Sequence, residues 1–332
     1  MIFDERRKMK IFITGASGFI GSQLVRRLKQ TEHPIFCLVR KTSDVRLLKE
    51  LGVSLVTGDV TDQNSLIQGM KSCDWVMNLA NLYSFWEPDK RVFTQVNIEG
   101  TRNVMESALQ TGISKMIHVS TGGIYGKPQD VPFTEESPVG PVRFGDYFRT
   151  KYMGDQIAWE YYQKKGLPLV VIYPAAVLGP GDPKATGKYI QNLIHRRLPA
   201  TVFDDSFFTF VHVKDVAEAI VRAAEKENNN GQKYIIGKYQ LTFGEINRMV
   251  SEISGVSLPK IHLPDFLTMI NAHLLTALAN LIKKPPLWGM AIDQMRVMKE
   301  GVRADGSKAE RDLGITYTPI RTALEETIAS FK

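Results

Sequence analysis

Tyr147 and Lys151 bound the segment Tyr147-Phe148-Arg149-Thr150-Lys151, and a helix there would carry a phenol and an ammonium on one face. A free phenol titrates at about pH 10, too high for efficient proton exchange at neutrality, and an adjacent ammonium favours the phenolate. Such a pair is suited to passing a proton to or from an oxygen atom. The same spacing is common on ordinary helices, so its meaning depends on its surroundings. Val119-Ser120-Thr121-Gly122-Gly123-Ile124-Tyr125-Gly126 ends an expected strand with hydroxyls, where a parallel sheet would present them to a crevice.

The elements that must position these groups are read from periodicity. Between Lys10 and Pro174, short β-branched runs alternate with helical periods. Strands are expected at 10–14, 35–39, 53–57, 75–79, 116–120 and 169–173, with helices that include 20–29 and the stretch around 96–111. This is the pattern of βαβ units, and it predicts an α/β fold with a doubly wound parallel sheet. Directly after the first strand, Thr14-Gly15-Ala16-Ser17-Gly18-Phe19-Ile20-Gly21 opens the first helix with glycines three apart. Backbone amides across Gly15, Ser17, Gly18, Phe19 and Ile20, together with the positive end of the helix, can hold a pyrophosphate. Gly21 lets helix and sheet pack closely. The position between strand and helix, more than the glycine triplet itself, marks a Rossmann dinucleotide site.

Two further strand ends agree. Gly58-Asp59-Val60 offers a carboxylate to an adenine amino group, and Leu79-Ala80-Asn81 can pass beside a cofactor ribose. Asp after a strand is also an ordinary turn former. An oxidised nicotinamide near Tyr147 would add its positive charge to the pull toward phenolate.

Beyond Pro174 the pattern loosens. Gly179-Pro180-Gly181-Asp182-Pro183 is a turn cluster, and later segments read as helices with polar interruptions. The expected division is a dinucleotide-binding domain over 9–180, joined by 210–235, and a smaller, mostly C-terminal substrate-binding cap lobe over 181–209 and 236–332. Phe210-Val211-His212-Val213 followed by Asp215 to Ala224 reads as a strand and helix returning to the main sheet. The segment Phe266 to Ile282 is strongly apolar, interrupted by Asn271, His273 and Asn280 and closed by Lys283-Lys284-Pro285-Pro286. With its polar breaks it is marginal for crossing a bilayer, where roughly 20 apolar residues are needed. It is expected to cap the substrate cleft, with peripheral membrane docking through the lysines as the alternative.

With 332 residues and 43% hydrophobic content, the chain can bury a substantial core. Its 42 Lys and Arg against 35 Asp and Glu give +7, a balance compatible with a phosphate-bearing ligand, an anionic membrane surface or nucleic acid. No long basic run with interleaved aromatics is present, which sets nucleic acid aside. Cys37 and Cys73 are distant from each other and leave no metal-ligand cluster, so buried thiols in a reducing compartment are expected. Met1 to Lys10 is charged and lacks the apolar stretch of a secretory leader, with Met9 as an alternative start, and a cytoplasmic location is expected.

The glycine turn, Asn97-Ile98-Glu99-Gly100-Thr101, the strand-five segment and the Tyr-Lys pair occur in an order and spacing that, over nearly the whole chain, resemble the extended short-chain dehydrogenase/reductases of the NAD-dependent epimerase/dehydratase family. The resemblance implies that Tyr147 is the general acid/base and that Lys151 binds the nicotinamide ribose and lowers the Tyr147 pKa. It also implies that Thr121 hydrogen-bonds the reacting oxygen and that Pro174 contacts the cofactor. Helices around Asn97 and Tyr147 often form a homodimer interface in this family. Val39-Arg40-Lys41-Thr42-Ser43-Asp44, Phe85-Trp86-Glu87-Pro88-Asp89, Leu178-Gly179-Pro180-Gly181-Asp182 and Phe210 to Ala217 are similar to segments of dihydroflavonol-reductase-like proteins and hopanoid-associated sugar epimerases.

Departures from the family pattern select among its reactions. Dehydratases carry an acidic pair after the catalytic Thr, where this chain has Gly122-Gly123; nucleotide-sugar epimerases usually place an Arg where it has Phe208-Thr209, after Asp204-Asp205-Ser206-Phe207. Loss of a fork-shaped diphosphate ligand points to an uncharged, apolar carbonyl. Phe207, Phe208 and Tyr83 are the expected substrate-lining residues. The second strand ends Leu38-Val39-Arg40-Lys41, where NAD-preferring sites present a carboxylate, so Arg40 is expected to meet the 2′-phosphate of NADP(H). Asp44 is the competing carboxylate, and NAD(H) the alternative cofactor. The reading is hydride transfer between NADP(H) and a ketone or aldehyde, or the corresponding alcohol. A sugar or nucleotide-sugar epimerase and a non-catalytic cofactor-binding regulator are the alternatives.

Overall fold

The computed structural model describes residues 8–332; the N-terminal reading of Met1 to Arg7 lies outside the described residues. The continuous apolar runs become the centre of a parallel sheet because both of their faces are covered. The strands are β1 (Ile11–Thr14), β2 (Ile35–Val39), β3 (Ser54–Thr57), β4 (Trp75–Asn78), β5 (Lys115–Val119) and β6 (Leu169–Pro174). Every residue of β1, β4, β5 and β6 is buried, whereas Ser54 and Thr57 of β3 are exposed at the sheet edge. The intervening helices are α1 (Phe19–Leu28), α2 (Arg46–Glu50), α3 (Gln63–Met70), α4 (Arg91–Thr94), α5 (Gly100–Thr111) and α6 (Asp146–Lys165). A π-helical turn, Gln95–Glu99, joins α4 to α5.

The strand order is β3-β2-β1-β4-β5-β6, closed at the far edge by β9 (Lys233–Ile236), and all pairings are parallel. The order in which strands are added across the sheet reverses between β1 and β4, and the cleft at their carboxyl ends is where a doubly wound sheet receives a ligand. Alternation along β1 builds two cores. Ile11 and Ile13 pack with Leu24 of α1, while Phe12 packs with Leu66, Met105 and Ile157 of α3, α5 and α6. Cys37 and Cys73 are buried and unpaired, and burial pushes their thiols up to about 12 and about 11.

The remaining elements are β7 (Ala176–Leu178), α7 (Ala185–Ile194), β8 (Phe207–His212), α8 (Val213–Glu225), β10 (Tyr239–Thr242), α9 (Phe243–Ser254), α10 (Asp265–Ile282), α11 (Ile292–Glu300), α12 (Ser307–Leu313) and α13 (Ile320–Ala329). The strand read at 210–213 does not return to the main sheet. As β8 it pairs parallel with β7 and antiparallel with β10 in a separate three-stranded sheet. The helix that follows it, α8, does return, burying Val216 and Ile220 against α1 and the main sheet. Phe208 and Phe210 of β8 belong to the core of the smaller lobe, with Phe243, Ile246, Met298 and Leu324, and that burial holds β8 there.

Candidate active site

A cavity of about 600 Å³ runs from the glycine turn, past Tyr147, into the smaller lobe. At its first end, Gly15 adopts a left-handed φ of +73°, and a Cβ there would stand 2.7 Å from the Ala80 amide nitrogen. A Cβ on Gly21 would likewise meet the Gly15 carbonyl, at 2.1 Å. Both glycines hold the turn against the end of β4 in a cradle that side chains would fill. Thr14 Oγ1 ties the two strand ends, donating to Asn78 Oδ1 at 2.5 Å and accepting from the Ala80 amide at 3.2 Å. Helix α1 starts after an extended Gly18, with no side-chain cap and no acid in its first turn. Its first amides and positive dipole end therefore remain for an external anion. This cradle fits a pyrophosphate.

Gly15, Ser17, Gly18, Phe19, Ile20, Arg40, Asp59, Val60, Leu79, Ala80, Asn81 and Pro174, the residues assigned to the cofactor from the sequence, all line the cavity. Arg40 is exposed at the end of β2. Asp44 does not line the cavity: Arg46 grips it with two parallel contacts, Nε to Oδ1 at 3.0 Å and Nη2 to Oδ2 at 2.6 Å, and holds its carboxyl down at about 2. Asp59 lines the cavity, and its Oδ1 also closes the local turn by accepting from the Thr61 amide and hydroxyl at 2.9 and 2.8 Å.

Tyr147 lies in the first turn of α6, on the cavity wall and almost wholly buried. Its ring meets Tyr83 and Phe148 edge-on, each at 4.9 Å between centroids, and Phe85 at 6.1 Å. Thr121 also lines the cavity; its Oγ1 accepts from the Gly123 amide at 3.3 Å, leaving its proton for an oxygen in the cavity. Asn97, on the π-helical turn, braces both sides. Its side chain accepts from the Leu82 amide at 2.7 Å and donates to Leu82 O and Thr150 Oγ1, tying the Tyr83 loop to α6.

Lys151 is one turn beyond Tyr147 but lies beneath the cavity, outside its lining. Its Nζ donates to the Val119 carbonyl at 2.9 Å. Burial brings the ammonium down to about 8, partly offset by nearby Asp155. Burial raises the Tyr147 phenol, against the lowering that the family resemblance implies. The Lys151 ammonium is turned toward the end of β5. Asp155, a further turn along and fully enclosed, accepts from the Tyr173 hydroxyl at 3.1 Å, and burial pushes its carboxyl up to about 6.

The other end of the cavity is mostly apolar, although Asp182, Lys184, Thr186 and Gln294 also belong to the lining. Phe85, Phe148, Tyr189, Phe210, Phe243, Val297, Met298 and Val302 line it beside Tyr83 and Phe208. Phe208 and Phe210 face inward because residues two apart on a strand share a face. Phe207 faces outward: it is 40% exposed, does not line the cavity, and lies 4.9 Å from the Arg303 guanidinium. The apolar helix α10 does not line the cavity either; α11 does, through Gln294, Val297 and Met298. Of the residues missed, Phe148 and Phe85 stood inside motifs already singled out. Phe243 and Met298 carried no sequence signal, because long-range packing alone brings them here.

A family model described as "NAD dependent epimerase/dehydratase family" matches residues 11–237. The chain belongs to this family. Within it, the chain is 29% identical over 328 residues to a dihydroflavonol 4-reductase-like protein of Synechocystis sp., covering 97% of this chain and 94% of that one. It is 29% identical over 330 residues to Sterol demethylase protein B of Methylococcus capsulatus, covering 98% of each. Among solved structures, that of gox2253 superposes with a TM-score of 0.82 at 32% identity, covering 98% of both chains. The family carries an NAD(P)-binding Rossmann fold, in keeping with the glycine cradle.

Proposed function

We propose that this protein is an NADP(H)-dependent oxidoreductase that reduces a ketone or aldehyde on an apolar substrate, or oxidises the corresponding alcohol. The observation that carries this reading is the character of the inner cavity. Aromatic and aliphatic side chains make up most of its walls, beside Asp182, Thr186 and Gln294, and among the described residues the only Lys or Arg side chains in the whole lining are Arg40, at the cofactor end, and Lys184. A sugar diphosphate buried there would lack a bidentate arginine partner, which is costly for a desolvated dianion. Arg303 does not serve instead, since it stacks on Phe207 and donates to Gln240 Oε1 at 3.3 Å. Water elimination is disfavoured by Gly123, where a Cβ would stand 2.0 Å from the Phe148 ring, leaving no room for an acidic side chain.

The glycine cradle would hold the pyrophosphate of a nicotinamide dinucleotide and Lys151, once released from the Val119 carbonyl, its ribose; the bound group would supply or accept the hydride. Tyr147 supplies the proton. Burial keeps its phenol protonated, which suits a donor to the developing alkoxide, a much stronger base than phenolate. Thr121 donates a hydrogen bond to the same oxygen, and the aromatic walls exclude water from the transfer. Arg40 supports NADP(H): its guanidinium is available to a 2′-phosphate, while Asp44, which would repel one, is engaged by Arg46.

The test is a spectrophotometric screen of NADPH and NADH oxidation against apolar ketones, apolar aldehydes and a UDP-sugar. Turnover of apolar carbonyls with NADPH is expected. Tight binding and epimerisation of the UDP-sugar, with no apolar carbonyl reduced, would overturn the proposal.

A further inference from the structure

Helix α10 packs with its smallest side chains and exposes its largest. Its buried residues are Thr268, Ala272 and Ala279. At about 100° per residue, Phe266, Leu267, Ile270, Leu274, Leu278 and Leu281 fall within an arc of roughly 120° on the opposite side. All six are exposed, Leu274 by 64% and Leu281 by 80%. Asn271 and His273 are confined to the flanks of this strip, and no Asp, Glu, Lys or Arg occurs between Asp265 and Lys283. The strip continues past the helix end into Leu287 and Trp288, which are 56% and 51% exposed. Scattered exposed leucines need no explanation, but a contiguous strip of this length marks a docking surface.

The surroundings of the strip select its occupant. Exposed Lys283 and Lys284 follow the last turn, and Trp288 lies just beyond them. Tryptophan and lysine beside an apolar strip are the residue types found at lipid headgroup level, whereas lysine is depleted from protein–protein interfaces. The net charge of +7 complements an anionic surface. The helix is also long and apolar enough to cross a membrane, but it is fastened lengthwise. Ala272 sits in the core of the smaller lobe, Thr276 Oγ1 accepts from the Ile292 amide at 2.9 Å, and Asn280 Oδ1 accepts from the Trp86 indole at 2.9 Å. Spanning would break all three attachments, whereas lying in the plane of the interface keeps them.

We propose that α10 and the Leu287-Trp288 turn dock the protein on an anionic phospholipid bilayer. The consequence for the site follows from those attachments. Helix α11 lines the apolar end of the cavity, and Trp86 belongs to the loop that carries Tyr83 and Phe85. Docking thus sets the apolar end of the cavity near the membrane, where a lipid-soluble carbonyl would be drawn. This substrate class rests on the proposed function; the docking does not.

The experiment is flotation of the full-length protein with vesicles of phosphatidylcholine alone or with one third phosphatidylglycerol, at low and physiological salt. Wild type should float with the anionic vesicles. Leu274→Glu/Leu281→Glu should reduce the floated fraction about tenfold, and Lys283→Glu/Lys284→Glu should abolish the preference for anionic lipid. Unchanged thermal transitions and NADPH affinity would establish that the variants are folded. Wild type remaining with the soluble fraction on anionic vesicles at low salt would overturn the proposal. So would light scattering that shows a wild-type dimer made monomeric by Leu274→Glu, which assigns the strip to a second copy of the chain. Flotation without reductase activity would sink only the proposed function, and reduction of soluble ketones without flotation only the docking.

Discussion

Replacing Lys151 by methionine should stabilise the cofactor-stripped protein at neutral pH while removing its turnover. The wild-type ammonium is fully enclosed, and burial lowers it from 10.5 to about 8. At about 1.4 kcal/mol per tenfold change, holding that charge in the folded state costs roughly 3 kcal/mol below pH 8. Methionine removes the charge and keeps most of the volume. It also removes the donor to the Val119 carbonyl at 2.9 Å, a loss of about 1 kcal/mol, and the cation that partly offsets the burial of Asp155. The net gain should be about 1 to 2 kcal/mol at pH 7. Its pH dependence is diagnostic. Between about 8 and 10.5 the unfolded lysine holds a proton that the folded one has released, so wild-type stability rises with pH through that window and the advantage of the variant shrinks. Urea denaturation of both proteins at pH 7 and pH 10.5, without cofactor, measures this. A variant less stable than wild type at pH 7, or a gap that does not narrow with pH, would refute the reasoning.

The other predictions concern the remaining groups of the site. Tyr147→Phe should retain NADPH affinity and lose about 10²- to 10⁴-fold in kcat, because only the transferable proton is deleted; near-normal turnover on a reduced substrate would remove Tyr147 as the acid. Arg40→Asp should lower NADPH affinity by about tenfold or more with little effect on NADH, as read by fluorescence titration of both cofactors. Gly123→Ala should destabilise the fold by about 1 to 3 kcal/mol, since its Cβ would meet the Phe148 ring at 2.0 Å. In a Phe148→Ala background the same substitution should cost much less, and a double-mutant cycle with no coupling would exclude the clash as its cause.

Much of the nucleotide half was legible in the sequence because its signals are local. The expected strands through 169–173 match β1 to β6 within a residue, since a strand covered on both faces must be a continuous apolar run bounded by turns. The glycine turn was equally readable: its spacing is set by the approach of Gly15 to Ala80 and of Gly21 to Gly15, which no larger residue permits. The four-residue spacing of Tyr147 and Lys151 placed both on one helix.

Tertiary packing decided what local pattern leaves open. Lys151 shares a helix face with Tyr147, but only the depth of α6 against the end of β5 turns its ammonium to the Val119 carbonyl. Phe207 and Phe208 are the same residue type in adjacent positions, and the pairing of β8 with β7 and β10 determined that Phe208 faces the cavity and Phe207 the solvent. The segment 210–213 reads as a strand whichever sheet receives it, because backbone propensity does not encode a partner. In α10 both faces are apolar, so periodicity could not show that alanine and threonine would pack while leucine stayed exposed. Side-chain pattern specifies the type and limits of an element, whereas its neighbours and its inward face follow from the packing of distant segments, to which a linear pattern has no access.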